Sequence, residues 1–287
     1  MFRKYLFVFI LSTCSLLAFN INISSSSIAN GKTALLEFDK EVDVEYEKIV
    51  VGKKTYKIFT NPVDASKAYV LLPISYYAKP SDKKVKIFYK ENKEEKKNVL
   101  IFRVEDGKYK KETIKVQKSK VKLNKKDKKR ASKEYAEAMK IYNTITKKSY
   151  INKAFIVPLD TKITSSFGKA RIYNDTLNGY HSGTDFRAKV GTKLIASNDG
   201  IIVLAKDRFY SGNSVIIDHG QGIYTCYYHM SKFDVKKGDK IKRGELLGLS
   251  GSTGRVTGPH LHFSVRVGGE QVDPLQLIEL INKNLLN

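Results

Sequence analysis

The chain has no tryptophan, two cysteines and five histidines among its 287 residues. So few cysteines exclude a scaffold built on disulfides. Cys14 falls in the leading apolar segment, which leaves Cys226 alone in an apolar strand, where it reads as a small core residue. Acidic residues are also scarce: 29 Asp+Glu face 52 Lys+Arg, a formal net charge of +23. The imbalance is concentrated in residues 1–150, with 34 basic against 17 acidic residues, and relaxes to 18 against 12 over residues 151–287. A strongly basic chain raises nucleic acid as a partner. Here the lysines are scattered among strand-like segments and no nucleic-acid motif is present, so no nucleic acid is expected. Attraction to an anionic envelope or cell-wall surface fits better, beside the plainer reading of lysine-rich solvated faces.

Long apolar runs are missing beyond residue 18, and nothing later in the chain reads as a membrane-spanning helix. The one apolar run, Tyr5 to Ala18, follows Met1-Phe2-Arg3-Lys4. A basic start and a run this short make an export signal over residues 1–18, cleaved after Ala18. Two rivals would leave the chain anchored to a membrane. One is an uncleaved signal; the other is lipidation at Cys14, because Leu11-Ser12-Thr13-Cys14 resembles a lipobox. Thr13 and the apolar residues after Cys14 count against lipidation. The expected location is exported, and periplasmic in particular.

Mainly β structure is expected beyond residue 18. Residues 19–118 show short alternating segments at Thr33–Phe38, Val42–Tyr46, Tyr56–Phe59, Ala68–Pro73, Val85–Tyr89, Val99–Val104 and Glu112–Val116, separated by turn formers such as Asn30-Gly31 and Asn61-Pro62. That spacing predicts a small β-sandwich with a positioning or inhibitory role. Residues 119–149 form a basic linker and a helix. There Tyr135, Ala138, Met139 and Tyr142 at i, i+3, i+4 and i+7 write an apolar stripe that docks on a domain surface. From residue 150 to 287 glycine-bounded strands return, at Ser165–Phe167, Gly183–Phe186, Lys193–Ala196, Gly200–Lys206, Ser214–Asp218, Gly222–Tyr228, Leu246–Leu249 and His260–Val267. A short terminal helix, Pro274–Leu286, closes this antiparallel domain.

The chemistry-bearing residues lie in that last part. In His260-Leu261-His262 strand alternation points both imidazoles one way, with backbones roughly 7 Å apart, so one can bind an ion while its neighbour faces the reacting group. His181 and Asp185 would stand roughly 13 Å apart on a straight strand, and Gly183 permits the bend that brings them together. Two histidines and a carboxylate leave an open position, as a catalytic zinc requires. Alternation also places Tyr227 on the face of His229, and Cys226 and Tyr228 on the other. His219, in Asp218-His219-Gly220-Gln221-Gly222, belongs to a hairpin turn and is left out of the site. Ser250-Gly251-Ser252-Thr253-Gly254 lacks the lysine of a phosphate loop and reads as a glycine-rich rim beside a peptide groove.

HSGTDF at 181–186, YYHM at 227–230 and TGPHLHFSV at 257–265 resemble the motifs of the LytM/lysostaphin-type zinc peptidases, which cut peptide cross-links in bacterial cell walls. The stretches GNSVIIDHGQGIYTCYYH and VKKGDKIKRGELLGLSGSTG and the trailing Val272-Asp273-Pro274 match as well, so the resemblance covers about residues 155–280. Carried over by position, it implies one Zn2+ per chain held by His181, Asp185 and His262, with His229 and His260 as the two free catalytic histidines. Tyr227 and Asn213 are weaker candidates for substrate contacts. Tyr228 and Met230 depart from the family's more usual alanine and leucine, which is expected to alter the cleft wall and not the metal. The whole chain is similar to the cell-shape peptidases of helical Gram-negative bacteria, where the family acts on D-alanyl–diaminopimelate bonds. This implies a D,D-endopeptidase, with D,D-carboxypeptidase action as an extension, whose partners are peptidoglycan peptides. The alternatives are a catalytically silent activator of other wall hydrolases, disfavoured by the retained ligands, and a secreted bacteriolysin, for which no wall-targeting module is seen. Covering of the cleft by the β-rich part or by the Tyr135–Tyr142 helix is a further expectation.

Overall fold

A computed structural model of the chain describes residues 21–114, 123–173 and 177–286. The expected export signal and the start of the basic linker, residues 118–122, lie outside them. Among the described residues no helix is long and apolar enough to cross a membrane.

The short alternating segments of the N-terminal part form two facing sheets. Thr33–Asp39 and Lys67–Pro73 pair antiparallel at the centre of a four-stranded sheet, flanked by Ile21–Ile23 and Phe59–Thr60. The second sheet has five strands, in the order Ser27–Ala29, Glu94–Glu105, Ser81–Glu91, Val44–Val51 and Lys54–Tyr56. Leu36, Phe38, Val70 and Leu72 from the first sheet meet Ile49, Val85, Ile87 and Phe102 from the second in one core. This is the expected sandwich.

Lys67–Pro73 is buried along almost its whole length because it has a core on each side. Val70 and Leu72 face the sandwich, whereas Leu35, Tyr69 and Leu71 join the C-terminal core with Leu277, Leu280 and Ile281 of the last helix, Pro274–Asn284. Strands buried on both faces read as continuous apolar runs. Each leucine buried there contributes about 1.5–3 kcal/mol. Polar groups fix the register of this junction. The Gln276 side chain exchanges two hydrogen bonds of 2.9 Å with the backbone of Thr33, the Asp273 N–H donates to the Gly31 carbonyl at 2.8 Å, and the Tyr69 hydroxyl donates to Gln221.

The described part of the strand expected at Glu112–Val116, Lys111–Ile114, does not join the sandwich, and residues 115 and 116 lie outside the described residues. Lys111–Ile114 pairs in parallel with Ala170–Tyr173, which in turn pairs antiparallel with Leu177–Tyr180. Local alternation identifies a strand but carries no information about its partner.

Helix α1, Lys125–Tyr142, begins where the Asn124 side chain accepts from the Asp127 N–H at 2.8 Å, as an N-cap should. Its stripe docks only in the last two turns. Ala138 and Tyr142 are buried against Leu204, Ile216, Tyr224 and Cys226, whereas Tyr135 is 64% exposed. The earlier turns are held by polar contacts instead: Glu134 accepts from the Phe209 N–H and Arg130 pairs with Asp207, both at 2.7 Å.

The C-terminal sheet is antiparallel throughout, with its central strands in the order Thr184–Arg187, His260–Val267, Ile223–Phe233, Gly212–Asp218 and Gly200–Arg208. One face carries Phe186, Val215, Ile217, Tyr227, Leu261 and Phe263 into the main core. Tyr224, Cys226 and Tyr228 alternate with these and lie under α1. Ala170–Tyr173, Leu177–Tyr180, Lys240–Ile241 and Glu270–Val272 add strands too short to show a period in the sequence.

Candidate metal centre and cleft

Asp185 and His262 are direct partners across two antiparallel strands, and such partners share a face. Asp185 Oδ1 lies 2.8 Å from His262 Nδ1. His181 enters from the segment just before the Thr184 strand, with its Nε2 2.9 Å from the same Oδ1 and 3.1 Å from His262 Nδ1. Gly183 makes this convergence possible through space, because a Cβ there would stand 2.4 Å from the Phe263 carbonyl oxygen and 2.6 Å from His262 Nε2. The expected bend is therefore a close approach that only glycine allows.

The protons in this cluster are constrained. The Ser166 carbonyl, 2.8 Å from His181 Nδ1, can only accept, so Nδ1 carries the proton and Nε2 offers a lone pair. That lone pair faces a carboxylate oxygen and a second imidazole nitrogen. A neutral His262 has one ring proton to share, which leaves acceptors facing acceptors in a site where His181, Asp185 and His262 are all buried. A cation satisfies all three, and one donor atom from each lies within 4.8 Å of the others. Two imidazoles and one carboxylate suit zinc with a position left open. Burial lowers His262 to about 4 against the partial opposition of Asp185, so its ring is neutral and available as a ligand at ordinary pH.

His229 reaches the site by an irregularity rather than by alternation. Val215 pairs with Tyr227 while Asn213 pairs with Met230, so one strand spends an extra residue at 228–229, and His229 has φ 63°. A left-handed residue other than glycine costs about 1–3 kcal/mol and persists where the surroundings hold it. Here the His229 N–H donates to the Ser211 carbonyl at 2.9 Å and its Nδ1 donates to the Thr253 carbonyl at 2.8 Å. The expectation that Tyr227 and His229 share a face is corrected. Tyr227 pairs with Phe263 and faces the core, whereas the bulge turns His229 to the side of Tyr228 and His262. Tyr227 is fully buried and its hydroxyl is bound to Ser197 and Thr225, so it drops out as a substrate contact. Asn213 is half-buried beside the bulge, its N–H donating to Thr253 Oγ1 at 2.9 Å.

His260 Nδ1 donates to the Gly258 carbonyl at 2.8 Å and its Nε2 lies 3.6 Å from Asp185 Oδ1. The rings of His229 and His260 are 4.9 Å apart. Both therefore spend Nδ1 on a backbone carbonyl and leave Nε2 as an acceptor. Burial, then the neighbouring His262 and His260, lower His229 to about 3. The serine- and glycine-rich segment 250–254 works here as the holder of His229 through Thr253. His219 stays apart, buried with Nδ1 on the Asp199 carbonyl at 2.6 Å and Nε2 on Thr225 Oγ1 at 2.7 Å.

Two further neighbours of the centre are Tyr228, from the YYHM motif, and Arg171, which stands in none. Tyr228 stacks on His262, with ring centroids 5.4 Å apart and planes 7° from parallel, and its hydroxyl meets that of Tyr142 from α1 at 3.0 Å. The departure at residue 228 thus touches an expected metal ligand, while Met230 is buried away from the cleft wall. Arg171 lies 3.3 Å from Asp185 Oδ2 and 2.7 Å from Glu112 Oε1, and Lys169 is 3.2 Å from Glu112 Oε2.

A buried two-histidine, one-carboxylate cluster on an antiparallel sheet, beside two further histidines that keep an unprotonated Nε2, has the donor set of a zinc site with an open position. Residues 179–274 match the model of peptidase family M23, and the chain carries an M23 peptidase domain. Peptidoglycan DD-endopeptidase ShyA of Vibrio cholerae is 45% identical over 42% of this chain and 28% of its own length. DD-carboxypeptidase/endopeptidase Mpg of Neisseria meningitidis is 40% identical over 41% of this chain and 27% of its own. The chain thus spans less than a third of the length of these curated relatives. A crystal structure of a candidate M23 peptidase from Pseudomonas aeruginosa is similar over 88% of this chain and 95% of that one, with 27% identity and a TM-score of 0.67, so the likeness includes the N-terminal sheets.

Proposed function

We propose that the chain is an exported, periplasmic zinc peptidase of peptidoglycan, a D,D-endopeptidase with D,D-carboxypeptidase action, working in wall remodelling and cell shape. Residues 150–287 carry the chemistry, 19–118 position it and 119–149 link the two. The observation that carries this reading is the convergence of His181, Asp185 and His262 lone pairs at 2.8–3.1 Å beside two histidines with anchored Nδ1 atoms. The names of the two relatives support the substrate class.

His181, Asp185 and His262 would hold the zinc, which when bound supplies an acidified water and polarises the scissile carbonyl. His260 Nε2, the nearer of the two free rings to Asp185, takes the proton of the attacking water and returns it to the leaving amine. His229, kept neutral by burial, accepts a hydrogen bond at Nε2 and orients that water from the other side. The Gly258 and Thr253 carbonyls keep both rings in the tautomer this requires. Asn213 is the remaining candidate for a contact to substrate. Mass spectrometry of purified muropeptides, digested with and without a chelator, tests the proposal. Cleavage of cross-linked dimers that stops on chelation and returns with zinc is expected. Undiminished cleavage by the metal-stripped chain would overturn it.

A further inference from the structure

A half-buried ion cluster stands beside the metal centre and takes no part in the chemistry above. Arg171 and Lys169 grip one carboxylate, that of Glu112, at 2.7 and 3.2 Å, with their side chains only 15% and 26% exposed. Arg171 also reaches Asp185 Oδ2 at 3.3 Å. Arg171 and Lys169 thus present a guanidinium and an ammonium group to one carboxylate, a seat for an anion at the edge of the reacting centre. Its present occupant comes from the far end of the sandwich. Glu112 sits in the four-residue strand Lys111–Ile114, opposite Arg171 in a parallel ladder of four pairs along Ala170–Tyr173. A short strand added in this way follows the geometry by which extended peptides are captured at a sheet edge.

We propose that Lys169 and Arg171 form a subsite for the substrate carboxylate attached to the carbon next to the scissile nitrogen, and that Glu112 fills it in the resting chain. This rests on the peptidase reading. A terminal D-alanine and the D-centre of a cross-linked diaminopimelate both carry a carboxylate at that position, so one subsite serves exopeptidase and endopeptidase cleavage alike. Guanidinium and ammonium groups give a charge-assisted pair of contacts to such a carboxylate and much weaker ones to its amide. Binding exchanges one carboxylate for another, so the charge balance beside Asp185 is kept while the Glu112 strand gives way.

The test uses the full chain and paired ligands: a peptide ending in D-alanyl-D-alanine and its C-terminal amide, and a cross-linked muropeptide with the D-centre carboxylate free or amidated. Calorimetry on the zinc-loaded His260→Ala chain reads binding without turnover, and kinetics on the zinc-loaded unaltered chain reads cleavage. The free acids are expected to be preferred by about tenfold or more in both measurements, the worth of one charged hydrogen bond. Lys169→Met should cut that ratio severalfold with zinc content unchanged. Glu112→Gln should lower KM for the free acid severalfold, and Arg171→Met should abolish the preference. Equal binding of acid and amide by the His260→Ala chain, with equal cleavage by the unaltered chain, would overturn the subsite, as would a Lys169→Met chain that keeps the preference in full. A preference for the acid in calorimetry, with no muropeptide cut by the unaltered chain, would sink the peptidase reading and leave the subsite standing.

Discussion

Two buried histidine environments in one sheet end differently. His219 is as buried as His181, yet both of its nitrogens meet protein partners of opposite character, a carbonyl that accepts and a hydroxyl that can donate. At His181 and His262 the nitrogens meet a carboxylate and each other. A satisfied histidine is structure; a cluster of facing acceptors is a place for a cation. Burial alone does not separate the two, and the identity of the hydrogen-bond partners does.

The comparison breaks most severely if an acceptor is removed from the cluster. His262→Ala or His181→Ala should lose bound zinc, read by elemental analysis, and lose muropeptide cleavage by about a thousandfold or more. Hydrolysis retained by a metal-free His262→Ala chain would refute the ligand assignment. Removing a free base gives the next largest effect. His260→Ala should keep its zinc and lose about 10²–10⁴-fold in cleavage, and a loss of metal there would show it to be a ligand instead.

The comparison is sharpened by perturbing a neighbour of the cluster. Tyr228→Ala removes the ring stacked on His262 and should weaken zinc binding by about 10–100-fold in a chelator competition, the scale of outer-shell effects. Tyr228→Phe keeps the stack, loses the hydroxyl contacts to Tyr142 and Cys226, and should stay near the unaltered affinity. The smallest effect belongs to His219, which burial lowers to about 4 although the Asp199 carbonyl opposes the shift. The unfolded chain binds this proton more readily than the folded one. Its contribution to stability is therefore complete above pH 6.5, declines as pH falls, and is lost by about pH 4. The amount is about 3 kcal/mol. Denaturant unfolding of the chain and of His219→Asn between pH 7 and 4 should show a flatter slope in the variant, and parallel slopes would contradict this.

The readable and unreadable parts of the site divide by range. His181, Asp185, His229, His260 and His262 were legible because short motifs place them within a few residues of glycines and of one another. Tyr227 misled because alternation assumes a regular strand. The extra residue at 228–229 reverses the faces, and its cause lies in Ser211 and Thr253, which are remote in sequence. Arg171 and Glu112 were invisible for a similar reason: 59 residues separate them, and neither stands in a motif. The seven-residue run of Lys67–Pro73 shows the same limit in the fold, since its strand character was legible while its second core, shared with Leu277 and Ile281, was not.

From the sequence alone came a pool of histidines and one carboxylate spaced for a metal, which the family resemblance divided into ligands and free bases, together with the sheet character of both halves and the exclusion of His219 by its turn, because residue type, local period and glycine spacing are local properties. The tertiary structure alone decided which face His229 takes, that Tyr227 belongs to the core, that α1 reaches His262 through Tyr142 and Tyr228, and that a strand from beyond the sandwich lays Glu112 beside the metal centre. These are choices of partner, and strand pairing and side-chain contact are settled by packing across the whole chain rather than by any segment within it.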